Sequence, residues 1–180
     1  MSRSLLIALS CCVLAAPVGA ITVAPLSFDE LVNGSTTVIV GRVSEMRGQW
    51  TADRRGIESL VTVDVVSRFK GSTGDTLTFT VPGGAVGRYL NLIPGAPAFA
   101  RGDRAVLFLT SRGPRLPTTT GLTQGIYRVT VDARTGAALV APPVVETADR
   151  RIRRGDPGRR PVPLAVFEAA VRAVKPVEAR

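Results

Sequence analysis

The groups of this chain that could exchange a proton are carboxylates. Asp53, Glu58, Asp64, Asp75, Asp103 and Asp132 stand well apart, each at a turn or on a polar strand face. Two of them meeting across a fold would make an acid/base pair; their spacing itself shows neither such a pair nor a calcium loop. The 180 residues include no histidine and only two cysteines, Cys11 and Cys12, both inside the apolar run Leu5–Ala16. Beyond that run, Ser-His-Asp and Cys-His catalysis, thiolate or imidazole zinc sites, disulfides and thiol redox chemistry are all excluded. A non-enzymatic chain with no cofactor and no metal site is expected.

Three other patterns have chemical readings. Gly83-Gly84-Ala85-Val86-Gly87-Arg88 carries the glycines of a phosphate-cradling loop, but such a loop opens a helix whose amides face the anion. Nothing after Arg88 reads as helical and Pro94 is near, so a hairpin connection is expected. Arg101-Gly102-Asp103 and Arg154-Gly155-Asp156 spell an adhesion tripeptide twice, the first where Gly-Asp makes a turn before a strand. Arg150, Arg151, Arg153, Arg154, Arg159 and Arg160 form a cationic run that is either a solvated linker or a contact for an anionic envelope surface.

The elements that position these residues follow a leader. Met1-Ser2-Arg3-Ser4 is a short basic start, Leu5–Ala16 an apolar stretch, and Pro17-Val18-Gly19-Ala20 ends in small residues. This is the layout of a secretory signal peptide cleaved between Ala20 and Ile21, which places the mature chain outside the cytoplasm, secreted or periplasmic. The other reading, a lipoprotein acylated at Cys11, wants a long apolar residue where Ala8 stands. The apolar run is shorter than the ~20 residues of a membrane span and no second such segment follows, so no transmembrane segment is expected in the mature chain. Export also removes cytoplasmic nucleic acid as a partner. With 23 Lys+Arg against 14 Asp+Glu the chain is strongly basic.

Ser27 followed by Glu30 is a capping box for a short helix, with Asn33-Gly34 as a left-handed stop. Thr37–Val43 reads as a strand with a bend at Gly41, and Leu60–Val66 as another with Val61, Val63 and Val65 on one face. Leu77, Phe79 and Val81 alternate with Thr76, Thr78 and Thr80. From Pro82 to Gly102 the pattern breaks into a long loop with a brief extended piece at Arg88–Ile93. Loops of this length are usually functional or disordered, and Arg88 and Tyr89 are its candidate contact residues. Ala105–Leu109 is apolar throughout, as in a strand covered on both sides. Tyr127, Val129 and Val131 alternate in a further strand, and a last one is expected at Ala138–Ala141. The pattern predicts a mostly β fold: a small five- to six-stranded antiparallel OB-like barrel, with a sandwich as the other architecture. The chain divides into a signal peptide (1–20), the barrel domain (21–145), an Arg/Pro-rich linker (146–162) and a C-terminal amphipathic helix (163–175). That helix starts at a proline and carries Leu164, Phe167, Val171 and Val174 on one stripe, to dock on the barrel or a partner.

Leu26–Val32, Thr37–Val43, Val63–Gly71, Val81–Gly84, Pro94–Phe99 and Arg101–Leu109 stand in the order found in a group of uncharacterised exported bacterial proteins, which the chain resembles over residues 21 to 131. That resemblance implies an export route and a barrel. More distantly, the order of strand, long excursion, strand and Phe69-Lys70-Gly71 is similar to the netrin-like barrel of the tissue inhibitors of metalloproteinases. In that family the mature N-terminus is a wedge that chelates the protease zinc. The resemblance therefore implies a binding segment at Ile21, Thr22 and Val23, with Thr22 matching the residue that enters the specificity pocket and an exported metalloprotease as partner. Ile21 and Val23 stand where that family has the cysteines that hold the wedge rigid. Two functions are thus expected: a binding module, inhibitor-like through its mature N-terminus, or an envelope-associated structural protein held by its arginine run.

Overall fold

The structure is a computed structural model that describes residues 24–143 and 160–176. The leader, Ile21–Val23, and Arg150, Arg151, Arg153, Arg154 and Arg159 of the cationic run lie outside the described residues.

Ser27 opens helix α1 (Phe28–Gly34) with the expected reciprocal cap. Its hydroxyl accepts from the Glu30 N–H (3.2 Å) and its own N–H donates to the Glu30 carboxylate (2.8 Å). The Ser27 N–H foremost, and the Ser27 hydroxyl that donates to the same carboxylate (2.7 Å), hold the Glu30 carboxyl below its ordinary range. The end of α1 differs from expectation, because Gly34 is not left-handed. Instead the extended Ser35 donates its hydroxyl to the Leu31 carbonyl (2.7 Å), and Lys70 Nζ donates to the Val32 carbonyl (2.7 Å). Side-chain donors thus join the Ser35 N–H, which reaches the Val32 carbonyl at 3.4 Å, in satisfying the last carbonyls without a glycine turn.

Along the described chain the strands are β1 (Thr37–Trp50), β2 (Ile57–Lys70), β3 (Thr76–Pro82), β4 (Gly84–Val86), β5 (Tyr89–Asn91), β6 (Arg104–Thr110), β7 (Thr118–Thr119), β8 (Ile126–Val131), β9 (Ala138–Ala141) and β10 (Val162–Pro163), with helix α2 (Leu164–Ala173) last. Five of them close a barrel in the ring order β1-β2-β3-β7-β6 and back to β1. Counting ring strands alone, this is the 1-2-3-5-4-1 order of an OB barrel. One ring contact corrects the antiparallel expectation: β3 and β7 run parallel, meeting at Thr80 and Thr118. A ring with an odd number of strands cannot be antiparallel throughout. β8, β9 and β10 continue the sheet beyond β6, while β4 and β5 form a separate hairpin. β10 takes in Val162, expected in the linker, because its backbone pairs with Val140.

Two cores follow from the pairing. Inside the barrel lie Ile39, Val43, Val61, Val63, Phe79, Val81, Leu107 and Leu109. Outside it, Val38, Val40, Val106 and Phe108 point the other way, into a cluster with Leu31, Val32, Val140, Phe167 and Val171. Thus the unbroken apolar runs at 38–40 and 105–109 arise because both faces of β1 and β6 are covered, the sheet inside and the helices outside. Phe167 is the keystone of the outer cluster, its ring 5.6 Å from Phe28, 6.3 Å from Phe108 and 4.9 Å from Tyr127. Burial there raises the Tyr127 phenol above its ordinary pKa. Val131, expected to continue the inward set of β8, is exposed, because the strand has run past the cluster by that residue.

α2 docks on the barrel rather than waiting for a partner. Phe167→Ala should therefore cost about 3–5 kcal/mol in denaturant unfolding, as for other buried phenylalanines, and a loss under about 1 kcal/mol would show that the helix stands outside the cooperative unit.

Candidate functional site

The β1–β2 hairpin is longer than the apolar pattern predicts, since residues 44–50 are polar or exposed and are held in the strand by ladder bonds to 57–62. Its turn is closed by the Thr51 N–H donating to the Gly56 carbonyl (2.9 Å) and the Gly56 N–H donating to the Thr51 hydroxyl (3.0 Å). Across from it, the 111–117 connection between β6 and β7 is fixed by the Thr80 N–H donating to the Pro117 carbonyl (2.9 Å). Between the two lies a cleft of about 590 Å³. Gln49, Glu58, Thr80 and Thr118 make its floor, with Thr51 and Asp53 on one side and Arg115 and Leu116 on the other. A smaller hollow of about 310 Å³ shares that floor and runs on to Asn91 and Ile93 at the root of the β4–β5 hairpin.

The two carboxylates of the cleft are engaged by their neighbours. Asp53 accepts from the Thr51 hydroxyl (2.6 Å) and the Arg55 N–H (3.2 Å), bonds that hold its carboxyl below the ordinary range. Glu58 accepts from Gln49 Nε2 (2.8 Å). The other carboxylates singled out in the sequence are placed elsewhere. Asp64 lies 3.6 Å from Arg42, Asp75 pairs with Arg68 (2.9 Å), and Asp132 is held by the amides of Thr135 and Arg134, which lower its pKa. Asp103, of the first adhesion-like tripeptide, caps the Ala100 N–H (2.8 Å) and pairs with Arg128 (2.5 Å). Arg128 also donates to the Ala98 carbonyl and stands over the Phe99 ring, 5.2 Å from its centroid. That staple presses Phe99 onto Phe79, so the second half of the long 82–102 loop plugs the barrel.

Arg88 and Tyr89 sit at the turn of the β4–β5 hairpin, both exposed, with the guanidinium 5.3 Å from the ring centroid. Tyr89 packs edge-on against Trp50 (5.4 Å). The hairpin lies so close to β1 that a Cβ on Gly48 would stand 1.9 Å from the Ala85 carbonyl oxygen. Arg160 is exposed just before β10.

One residue went unmarked in the sequence. Gln124, only 5 % exposed, grips the start of the described chain: it accepts from the Leu26 N–H (2.7 Å) and donates to the Ala24 carbonyl (3.0 Å). A lone glutamine gives no pattern, and only the fold brings it across 98 positions to Leu26. The cleft was equally hidden, for its members come from four separate stretches, 49–53, Glu58, Thr80 and 115–118.

Among the described residues no group of three or more His, Cys, Asp or Glu is placed to hold a metal ion, and no helix is long and apolar enough to cross a membrane. No protein-family model matches the chain, and no curated protein is similar to it.

Two measurements check this geometry. The Arg55 amide proton should titrate with Asp53 at a midpoint below the ordinary Asp value of 3.8, because the bonds favour the charged form. The stability those bonds lend is thus present above that value and lost as pH falls through the lowered one; a midpoint at or above 3.8 contradicts the turn geometry. Gly48→Ala should lift the β4–β5 hairpin off β1, which a red shift of Trp50 emission would report.

Proposed function

We propose that this chain is an exported binding protein without catalytic activity, and that its ligand lies in the cleft between the β1–β2 turn and the 111–117 connection. The observation that carries the reading is the position of the cleft. It opens on the outer β2–β3 face, between the loop joining ring strands one and two and the loop joining four and five, where OB barrels hold oligosaccharides and oligonucleotides. The lining separates these ligands. No aromatic side chain lines the cleft for base stacking, and Asp53 and Glu58 offset Arg115 against a polyanion. Threonine hydroxyls, the Gln49 amide and the Leu116 side chain suit a neutral extended chain such as an oligosaccharide. With both carboxylates tied to Thr51, Arg55 and Gln49, the cleft favours binding over acid/base work.

An array of neutral and anionic oligosaccharides, probed with residues 21–180, should return neutral binders. Thr118→Arg, which fills the cleft from an exposed position, should weaken them by about tenfold or more with an unchanged melting temperature. Binding untouched by that substitution would place the ligand elsewhere.

The Gln124 clamp favours a second reading, in which the chain acts through Ile21, Thr22 and Val23. It fixes the backbone at Ala24 and Leu26 without a disulfide, and such pre-organisation is what a wedge needs to bind tightly. A chain beginning at Ile21 should then inhibit an exported metalloprotease, and one extended by a single residue should not. Equal behaviour of the two forms ends this reading.

A further inference from the structure

We propose that the β4–β5 hairpin is a finger that inserts into the interface of an anionic lipid bilayer. Among the described residues the most exposed large aliphatic side chains are there: Leu90 is 66 % exposed and Leu92 77 %. Alternation along β5 turns Tyr89 inward onto Trp50 and leaves Leu90 on the opposite, outer face beside its partner Ala85. Leu92, two residues on, continues that outer side. Tyr89 and Trp50, at 49 % and 40 % exposure, combine apolar rings with a hydroxyl and an N–H. Such side chains concentrate at the headgroup level of membranes.

The charge around the finger says what covers it. The two hairpin ends, residues 50–56 and 83–93, carry Arg54, Arg55 and Arg88 against the single carboxylate Asp53, a net of two positive charges. The ends adjoin, since Asn91 lies against Gly56. Leucines on a narrow protrusion beside an excess of arginines complement a surface that is apolar inside and anionic outside. A protein partner would need a broad facing area, and β4 and β5 have three residues each.

The finger is also stiff. Gly48 and Gly84 let its backbone lie directly on β1 and β2, where a side chain would strike Ala85 or Ser59, and Gly83 lets the two halves of the finger close up at Asn91. Insertion therefore orders little that is not ordered already. This inference stands apart from the cleft, which opens on the other face of the same long hairpin, and from the arginine run.

Trp50 is the only tryptophan, so it reports the event without a label. Residues 21–180 hold every described core contact and avoid the apolar leader. Mixed with vesicles of phosphatidylglycerol and phosphatidylcholine, this chain should shift its emission to shorter wavelength. Bromines placed near the headgroup end of the acyl chains should quench it, and vesicles of phosphatidylcholine alone should do far less. The double variant Leu90→Asn, Leu92→Asn should keep its melting temperature and bind the anionic vesicles about tenfold more weakly or worse. No Trp50 shift with anionic vesicles would overturn the proposal. So would vesicle binding that survives the leucine changes but is lost when Arg150, Arg151, Arg153 and Arg154 become glutamine, which would assign it to the arginine run. A lipid-free dimer that the leucine changes dissolve would assign the patch to a second copy of the chain instead.

Discussion

The barrel depends on one strand being hydrogen-bonded on both sides at once. From Val38 to Arg42, β1 pairs with β2 along one edge and with β6 along the other, and beyond Val43 it pairs with β2 alone. The double pairing closes the ring. It also demands that β1 bend where it leaves β6, and the bulge between Val43 and Glu45 marks the place. Just before it a Cβ at Gly41 would stand 3.0 Å from Val63 and 3.2 Å from Leu107, so the inner wall there admits no side chain without a shift. Closure leaves β1 free to run on as half of a long hairpin, and both candidate surfaces are built on that extension.

Closure also sets the number of cores. A strand shared by both edges has an inner and an outer face, and β1 and β6 bury both. The outer face needs a cover, which α1, α2 and the β8–β10 extension provide around Phe108. The described chain contains no cysteine, so this second layer of aromatic packing, and not a covalent staple, ties the C-terminal segment to the barrel. It also changes what a deletion means. Removing residues 146–180 to test the arginine run would take away Phe167 and Val171 and expose Phe108. Neutralising the arginines leaves the cluster intact.

What could be read from the sequence was what has a short period. The capping box at Ser27, the alternation of Leu77, Phe79 and Val81, the doubly covered run at Ala105–Leu109 and the stripe on α2 are all local signals, and each is seen in the fold. The polar halves of β1 and β2 were not legible, because residues such as Glu45, Arg47 and Gln49 are in a strand only by virtue of the ladder opposite. The parallel β3–β7 contact follows from ring parity, which no stretch of sequence carries. The two surfaces fared differently. Arg88 and Tyr89 draw notice in the sequence because a long loop is conspicuous, though their neighbour Trp50 lies 39 positions earlier. Thr80, Arg115 and Thr118 were not found, since threonines on an outer face look like ordinary solvated positions until a second loop is brought over them.

The two surfaces are coupled by the period of a strand. Gln49 and Glu58 form a cross-strand pair that faces the cleft, while the adjoining pairs, Gly48 with Ser59 and Trp50 with Ile57, carry the β4–β5 hairpin on the opposite face. Neighbouring residues point to opposite sides, so a slip of one residue in this hairpin would turn Trp50 into the cleft and Gln49 under the finger. The bulge between Val43 and Glu45 is the last irregularity before the hairpin, and from Glu45 to Trp50 the register then runs unbroken. Fixing that one register fixes the composition of both faces together: polar toward the cleft, small and aromatic toward the finger. The polar half of the hairpin, which contributes little to either core, is therefore constrained residue by residue by what must lie on each of its sides.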